Sequence, residues 1–266
     1  MNHLLRSHAP VTEEAWRQLD DEARQRLAPA LAARKLVDFS GPHGWRYSAA
    51  ELGRAAQIAA PEGALQARQR EVLPLVELRA PFTVALDELR DAGRGALDID
   101  LGSLDEAVRL VARAENVAVF HGWADAGIEG ICDTSPLDTV PLGSSFADYP
   151  SRVATAIEGL LERGVSGPYG LALGPEGYTG VVETTEHGGL VVFDHLRQIL
   201  GGPIVWAPGV RGAVLVSLRG GDFVFVCGQD ISIGYEHHDA ESVHLYLEES
   251  FTFRALTPDA GVGLAL

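Results

Sequence analysis

The sequence has little cysteine, a deficit of basic residues and no long apolar run. Cys132 and Cys227 lie far apart and outside any metal-ligand spacing, which excludes a disulfide framework and favours a reducing compartment such as the cytoplasm. Lysine and arginine number 21 against 37 acidic residues, and the formal net charge of -16 disfavours binding to nucleic acid or anionic membranes. No apolar run could span a bilayer, and the first ten residues lack the pattern of a secretory signal.

Sequence motifs of catalysis are missing as well. There is no G-x-S-x-G elbow, no phosphate-binding glycine loop with lysine, and no H-E-x-x-H, so a hydrolase-like α/β enzyme would lack its nucleophile. His237, His238 and Asp239 could bind a metal, but adjacent loop residues seldom converge on one ion, so we predict a solvated turn and no metal site. His187 beside Glu186 could form half of an acid–base pair, although its glycine-flanked position favours a surface loop. The sequence therefore predicts that the protein is not an enzyme.

The clearest pattern lies near the C-terminus. The β-rich runs 213–218 and 223–227 surround Gly220-Gly221, which predicts a hairpin because glycine supplies the positive φ of tight turns. Between Val243 and Phe253 every second residue is apolar, with the exception of Glu249. This alternation predicts a long strand with one face on a core and the other free for water or a partner. An ordinary domain would account for these strands equally well.

Two helices dominate the N-terminal half in this interpretation. Thr12 is a good N-cap for the first, which Pro29 should end or kink. Ser103 and Glu106 predict a capping box for the longest helix. Strand and helix patterns alternate from 131 to 212, which predicts an α/β segment between the long helix and the final sheet.

Residues 49–74 have a weaker pattern, dominated by alanine, glutamine, arginine and glutamate. The flanking segments 46–58 and 65–72 either pair as a long hairpin or form a surface loop, and composition alone favours the loop. A hairpin with so little core cannot be stable by itself. It would have to lie on another surface, and a neighbouring subunit is a candidate.

Short motifs occur along almost the whole chain. In order they are Leu4-Leu-Arg6 with Trp16, Ala33-Arg-Lys-Leu-Val-Asp38, Gly41-Pro-x-Gly-Trp45, Leu78-Arg-Ala-Pro-Phe-Thr83, Glu115 with Phe120-His-Gly122, Gly127-Ile-x-Gly-Ile131, Gly167-Pro-Tyr169, Arg219-Gly-Gly-Asp222, Gly228-Gln-Asp-x-Ser-Ile-Gly-Tyr235 and Glu249-Ser-Phe-Thr-Phe253. In this order the motifs resemble those of the encapsulins, a linocin-like family of bacterial shell proteins. Each motif alone is weak, but the set in register is specific.

The resemblance implies an α+β chain with the tailed-bacteriophage major capsid protein fold. It assigns residues 1–48 to the N-terminal helix and start of the peripheral domain, 49–74 to the extended arm (E-loop), 75–130 to the peripheral domain with its spine helix, 131–212 to the axial domain, and 213–266 to the final sheet of the peripheral domain and the C-terminal tail.

The function implied by the resemblance is enclosure. About 60 copies would assemble into an icosahedral nanocompartment in the cytoplasm. Cargo enzymes would dock through a C-terminal targeting peptide, and small substrates would enter through pores. A dye-decolourising peroxidase is the first cargo expected and a ferritin-like protein the second, which would link the shell to oxidative stress or iron storage. The alternative is a phage or prophage major capsid protein, although such proteins usually need scaffolding and processing and no pro-segment is apparent.

The resemblance also places a cargo-peptide site between the N-terminal helix and the nearby sheet. Apolar sockets would bind the aliphatic residues of the peptide and charged rims would fix its direction. The residues implied are Leu31, Arg34, Lys35, Asp38 and Phe39, with Asp230 and Ile231 opposite.

A second implied site is a pore at the five-fold axis, formed by Thr184, Thr185, Glu186, His187, Gly188 and Gly189. A ring of Glu186 would favour cations, and His187 would make that preference depend on pH. Relatives often carry an aromatic residue and proline where Gly188-Gly189 stands, so the pore width stays open. Some relatives bind flavin near the strand after the arm, but Asp87 and Arg90 offer no stacking surface, so we predict no cofactor.

Overall fold

The computed structural model describes residues 3–186 and 189–265. Its helices are α1 (Glu13–Ala30), α2 (Leu86–Gly93), α3 (Gly102–His121), α4 (Ile131–Thr134), α5 (Tyr149–Glu162), α6 (Pro175–Glu183) and α7 (Val192–Leu200). Its strands are β1 (Asp38–Ser40), β2 (Ala49–Ile58), β3 (Ala67–Pro74), β4 (Val76–Ala85), β5 (Val140–Pro141), β6 (Tyr169–Leu173), β7 (Ile204–Trp206), β8 (Ala213–Ser217), β9 (Phe223–Cys227), β10 (Ser232–His238), β11 (Ser242–Ala255) and β12 (Gly261–Ala265). No helix in these ranges is long and apolar enough to cross a membrane.

Helix α1 begins and ends where the sequence predicts. The Thr12 hydroxyl accepts a hydrogen bond from the backbone N–H of Ala15 (3.2 Å), which satisfies one of the first free donors of the helix. Pro29 lies in the last turn, and the helix ends one residue later. The apolar face that includes Leu19 and Leu27 packs into a core shared with α2, α3 and β4.

Helix α3 has a different start from the predicted one. It begins at Gly102, whose N–H donates to the Asp100 carboxylate (2.9 Å). The Ser103 hydroxyl instead donates to the carbonyl of Thr83 (2.6 Å) at the end of β4. The predicted capping box at Ser103 is therefore wrong. Asp100 accepts the hydrogen bond from the first helical N–H, and the Ser103 hydroxyl is bonded to Thr83 instead.

The first sheet is built around β11. Its strand order is β1-β9-β11-β10, and β4 pairs with the other side of β11. Strands β9 and β10 follow one another along the same side of β11, antiparallel to it, and β1 runs parallel to β9. Proline 81 is tolerated because β4 has no partner beyond β11 among the described residues.

The hairpin predicted for 213–218 and 223–227 is wrong, because its two strands lie in different sheets. The second sheet has the order β5-β12-β8-β6-β7, so β8 lies in this sheet while β9 lies in the first. Gly220 and Gly221 do form a turn with positive φ (83° and 79°), but that turn carries the chain from one sheet to the other. The strands on either side of the predicted boundary at residue 212 therefore belong to one sheet, which β12 completes near the C-terminus.

The second face of β11 also differs from the expectation. Its residues Tyr246, Glu248, Ser250 and Thr252 are buried within the chain and are not free for a partner. Arg79 explains part of this burial, since its guanidinium lies 4.0 Å from the centre of the Tyr246 ring and also pairs with Glu248 (2.5 Å).

Residues 49–74 form the hairpin that composition alone did not favour. Strands β2 and β3 pair with each other and with no other strand of the described chain. Most of their side chains are exposed, including the apolar Ile58 and Leu65 at the arm tip and Val72 near its base. The arm therefore contributes almost nothing to the core of its own chain.

Candidate functional site

A groove of about 350 Å³ separates the C-terminal half of α1 from the start of β10. We call it the α1–β10 groove. It is lined by Leu4, Arg6, Asp20, Ala23, Arg24, Leu27, Ala28, Leu31, Arg34, Asp230, Ile231, Ser232, Ile233 and Leu247. Aliphatic side chains thus alternate with charged ones around a concave surface, as in sites that bind extended peptides.

Four predicted cargo-site residues meet in this groove. Leu31 directly follows α1 as its C-cap, and its N–H donates to the carbonyl of Leu27 (3.0 Å). Asp230 and Ile231 come from the turn between β9 and β10, where the Ile231 N–H donates to the Asp230 carboxylate (2.9 Å). Arg34 follows α1 in a short 3-10 turn and reaches Asp230 across the groove.

The other three predicted residues lie outside it. Lys35 donates to the Pro29 carbonyl (3.0 Å), and burial lowers the pKa of its ammonium group. Asp38 accepts from the Gly221 N–H (2.6 Å) and so holds the turn between the two sheets. Phe39 stacks on Phe225, with ring centres 5.7 Å apart. Lys35 and Asp38 line a separate cavity of about 230 Å³.

Several groove residues were missed by the sequence reasoning. Ala23 and Leu27 belong to the apolar stripe of α1. Ile233 lies two residues after Ile231, in a segment where apolar and small or polar residues alternate. That alternation was a signal that could have identified Ile233. No sequence signal places Leu247 beside it, because their pairing depends on the register of β10 with β11.

Arg34 forms the polar end of the groove. Its Nε donates to Glu115 (2.8 Å), its Nη1 to Asp230 (2.7 Å) and its Nη2 to Glu249. Burial lowers the pKa of the guanidinium, but Glu115 and Glu249 outweigh that effect, so the pKa is raised overall. The arginine stays charged and joins α3, β11 and the β9–β10 turn.

Glu115 and Glu249 are fully buried around this one cation. Burial raises the pKa of each carboxyl group, and for Glu249 the proximity of Glu115 raises it further. Glu115 Oε1 and Glu249 Oε2 find no hydrogen-bond partner in the described part of the chain when both are taken as acceptors. A proton held between the two carboxyl groups would relieve both the repulsion and the missing hydrogen bond.

One trio of described residues has metal-ligand spacing. The ligand atoms of Cys227, Asp230 and Glu249 lie within 4.8 Å of one another. Asp230 and Glu249 already bind the Arg34 guanidinium, whose charge repels a metal ion. Burial also raises the pKa of Cys227 to about 12, so the thiol stays protonated. The trio is therefore part of a structural ion-pair network.

The predicted pore loop is described only in part. His187 and Gly188 lie outside the described residues. Between α6 and α7, the Glu186 N–H donates to the Leu190 carbonyl (2.8 Å). The Glu186 carboxylate lies 2.8 Å from Nδ1 of His195 on α7. Glu186 therefore has a hydrogen-bond partner on the following helix that the sequence did not indicate.

Comparison with known proteins gives matches over nearly the whole chain. A family model described as an encapsulating protein for peroxidase matches residues 1–252. A type 1 encapsulin shell protein of Rhodospirillum rubrum is 49% identical over 270 residues, covering 99% of this chain and 96% of the relative. The type 1 encapsulin shell protein of Brevibacterium linens is 42% identical over 267 residues, with 100% of each covered.

Two solved structures share the fold at much lower sequence identity. A virus-like particle from Pyrococcus furiosus has a TM-score of 0.61 at 19% identity and covers 94% of this chain and 97% of its own. The capsid of the myovirus XM1 has a TM-score of 0.57 at 9% identity, covering 90% and 92%. At these identities the likeness shows the capsid fold alone.

Proposed function

The chain belongs to the encapsulin family of structural shell proteins, and we propose that about 60 copies form a closed cytoplasmic compartment around a partner enzyme. Self-assembly is supported by the capsid fold of the structural neighbours and by the arm, whose two strands pair only with each other among the described residues. The arm exposes apolar side chains with no core of their own, and a second copy would cover them. The chain itself is the wall and has no catalytic role.

Cargo docking in the α1–β10 groove is the core of the proposal, and the observation that carries it is the groove itself. Leu31, Arg34, Asp230 and Ile231 surround it together although about 200 residues separate the two pairs in sequence. Leu27 and Ile233 extend its apolar wall. Aliphatic residues of a cargo tail would pack against this wall, and the ionic groups at the ends of the groove would orient the tail.

A dye-decolourising peroxidase is the cargo we propose first. The description of the family model, which mentions peroxidase, favours it over a ferritin-like protein. With a peroxidase inside, the compartment would serve in oxidative stress; with a ferritin-like protein, it would store iron. A phage or prophage capsid is the other candidate, but the capsid likeness stays below 20% identity whereas the encapsulin relatives reach 49%.

The experiment is co-expression of the chain with a dye-decolourising peroxidase whose C-terminal tail is intact or removed. Ala28→Trp places an indole in the groove from an exposed position of α1, so the core is untouched. Gln25→Trp is the matched control, because Gln25 is exposed on the same helix but lines a different cavity.

We expect the intact peroxidase to purify inside the wild-type and Gln25→Trp shells, and Ala28→Trp shells to assemble with little or none. Removal of the tail should empty all three shells. Equal loading of the two tryptophan variants, or loading without the tail, would contradict docking in the groove.

Pores around the five-fold axis are the second part of the proposal. Thr184, Thr185, Glu186 and Gly189 would line the opening, with His187 and Gly188 between them. A ring of Glu186 carboxylates would favour cations. The pairing of Glu186 with His195 suggests that α7 holds these carboxylates in place.

A further inference from the structure

Strands β9 and β10 bond to β11 along one edge, and most of their opposite edge is bonded to other segments of the chain. Strand β1 pairs with residues 224–226, and the N–H groups of His43 and Gly44 donate to the carbonyls of Cys227 (3.0 Å) and Gly228 (2.8 Å). Farther along, the Tyr235 N–H donates to the carbonyl of Leu4 (2.9 Å). Residues 229–234 lie between the part bonded to residues 38–44 and the contact with Leu4.

Backbone alternation shows which groups face that uncovered edge. Backbone groups of successive strand residues point alternately toward and away from the partner strand, and the Tyr235 N–H points away from β11 because it donates to Leu4, so the adjacent Gly234 faces Tyr246 of β11. Tyr235 faces the opposite way, toward Leu4. Ile233 lies two residues earlier and has the same orientation, so its N–H and C=O point outward. Within residues 3–186 and 189–265, no segment other than β11 pairs with β10 at this position.

This edge runs along the α1–β10 groove. The side chain of Ile233 forms part of the groove wall, with Leu27 and Leu31 of α1 on the other side. An extended chain bonded to Ile233 would direct every second side chain into the groove and the others away from it. The contact with Leu4 shows that another segment can bond to this edge, because its carbonyl accepts the Tyr235 N–H at the next position along the same edge.

Charge favours one kind of occupant. The charged residues of the lining are Arg6, Arg24, Arg34, Asp20 and Asp230, and each of the three arginines is paired with a carboxylate. Asp230, at the polar end of the groove, still exposes 44% of its side chain. A peptide with aliphatic residues at alternate positions and a basic end that meets Asp230 matches this surface.

We propose that the cargo tail binds as an added β-strand, with backbone hydrogen bonds to the N–H and C=O of Ile233 and alternate aliphatic side chains in the groove. This inference rests on the proposed docking function. It adds the conformation of the tail and a backbone contact that no side-chain substitution of the tail would remove. Because Leu4 already occupies the edge at Tyr235, the paired stretch is short and ends there.

The test uses a synthetic, dye-labelled copy of the C-terminal tail of the peroxidase employed as cargo. A series of peptides carries one N-methyl group each, which removes one backbone N–H and leaves the side chain unchanged. Each peptide is mixed with the full-length chain before the shell is reassembled, and the label retained per subunit gives the relative affinity.

We expect about a tenfold loss at the N–H that faces Ile233 and a much smaller loss at both of its sequence neighbours. A scan without such alternation, with the unmodified peptide retained and Ala28→Trp blocking it, overturns the added strand and leaves groove docking intact. If the unmodified peptide is not retained, or Ala28→Trp retains it fully, the docking function fails and the added strand fails with it.

Discussion

Glu115 on α3 and Glu249 on β11 bind the same guanidinium group through different nitrogens of Arg34. Both glutamates are fully buried, and Arg34 is the cation that accompanies them. The longest helix and the longest strand of the chain are therefore joined beneath the α1–β10 groove by Arg34 and these two glutamates. The stability of this part of the fold should depend on the proton that the two carboxyl groups hold.

A pH dependence follows from the raised pKa values of both carboxyl groups. In the unfolded chain a glutamate loses its proton near its ordinary pKa of about 4.3, whereas the folded pair keeps a proton at higher pH. Stability from this pair is therefore full at low pH and falls as the pH rises through the raised value. Glu249→Gln, which cannot ionise, should flatten the plot of urea midpoint against pH.

Glu77→Gln is the control for that experiment, since it removes a half-exposed carboxylate from the neighbouring strand β4. Its urea midpoint should follow the wild-type slope. Parallel slopes for Glu249→Gln and wild type would mean that the buried pair holds no proton in the folded state.

Arg34→Met should destabilise the chain severely, because it leaves two buried carboxylates without their cation. Removing one partner of a buried ionic network costs roughly 3–5 kcal/mol in unfolding free energy. Arg24→Met, on the exposed surface of α1, should change stability little. Chemical denaturation measures both variants, and adding Glu249→Gln to Arg34→Met should restore part of the loss. Equal stability of the two single variants would show that the network is not ionised as described.

Removing the arm should prevent assembly of the shell without preventing the chain from folding. Replacing residues 52–72 by a short glycine–serine linker removes strands that pair only with each other among the described residues. The cores around α3 and β6 do not include these residues, so the chain should fold and melt cooperatively. Light scattering should then detect no closed shell. Normal shells from this variant would refute the role of the arm in joining subunits.

Glu186→Lys tests the proposed pore. A ring of ammonium groups should slow the entry of divalent cations, because it replaces attraction by repulsion in the proposed opening. The rate at which external cobalt quenches an enclosed fluorescent protein measures entry. Glu183→Lys, an exposed acid at the end of α6, is the control. Unchanged entry in Glu186→Lys shells would count against a pore lined by this loop.

Local signals in the sequence predicted the elements well but not their partners. Thr12 marked the start of α1, and the alternation from Val243 to Phe253 marked β11. The Gly220-Gly221 turn was also predicted, yet β8 and β9 separate there into different sheets. Both strands are almost wholly buried, so their residues carry no polar face that would identify a partner.

Site residues that belong to a family motif could be predicted from the sequence. Site residues that depend on contacts between distant segments could not. The resemblance supplied Arg34 and Asp230, which do meet. It also supplied Asp38 and Phe39, which contact Gly221 and Phe225 outside the groove. Glu249 appeared in the sequence only as an interruption of an apolar face, because its partner Arg34 lies 215 residues away.

Self-assembly is tested most directly by the native mass of the purified full-length chain, measured without any partner. The account predicts one population on the order of 1.7 MDa, which is about 60 copies of a 28.4 kDa chain. A stable 28.4 kDa monomer under the same conditions would contradict it.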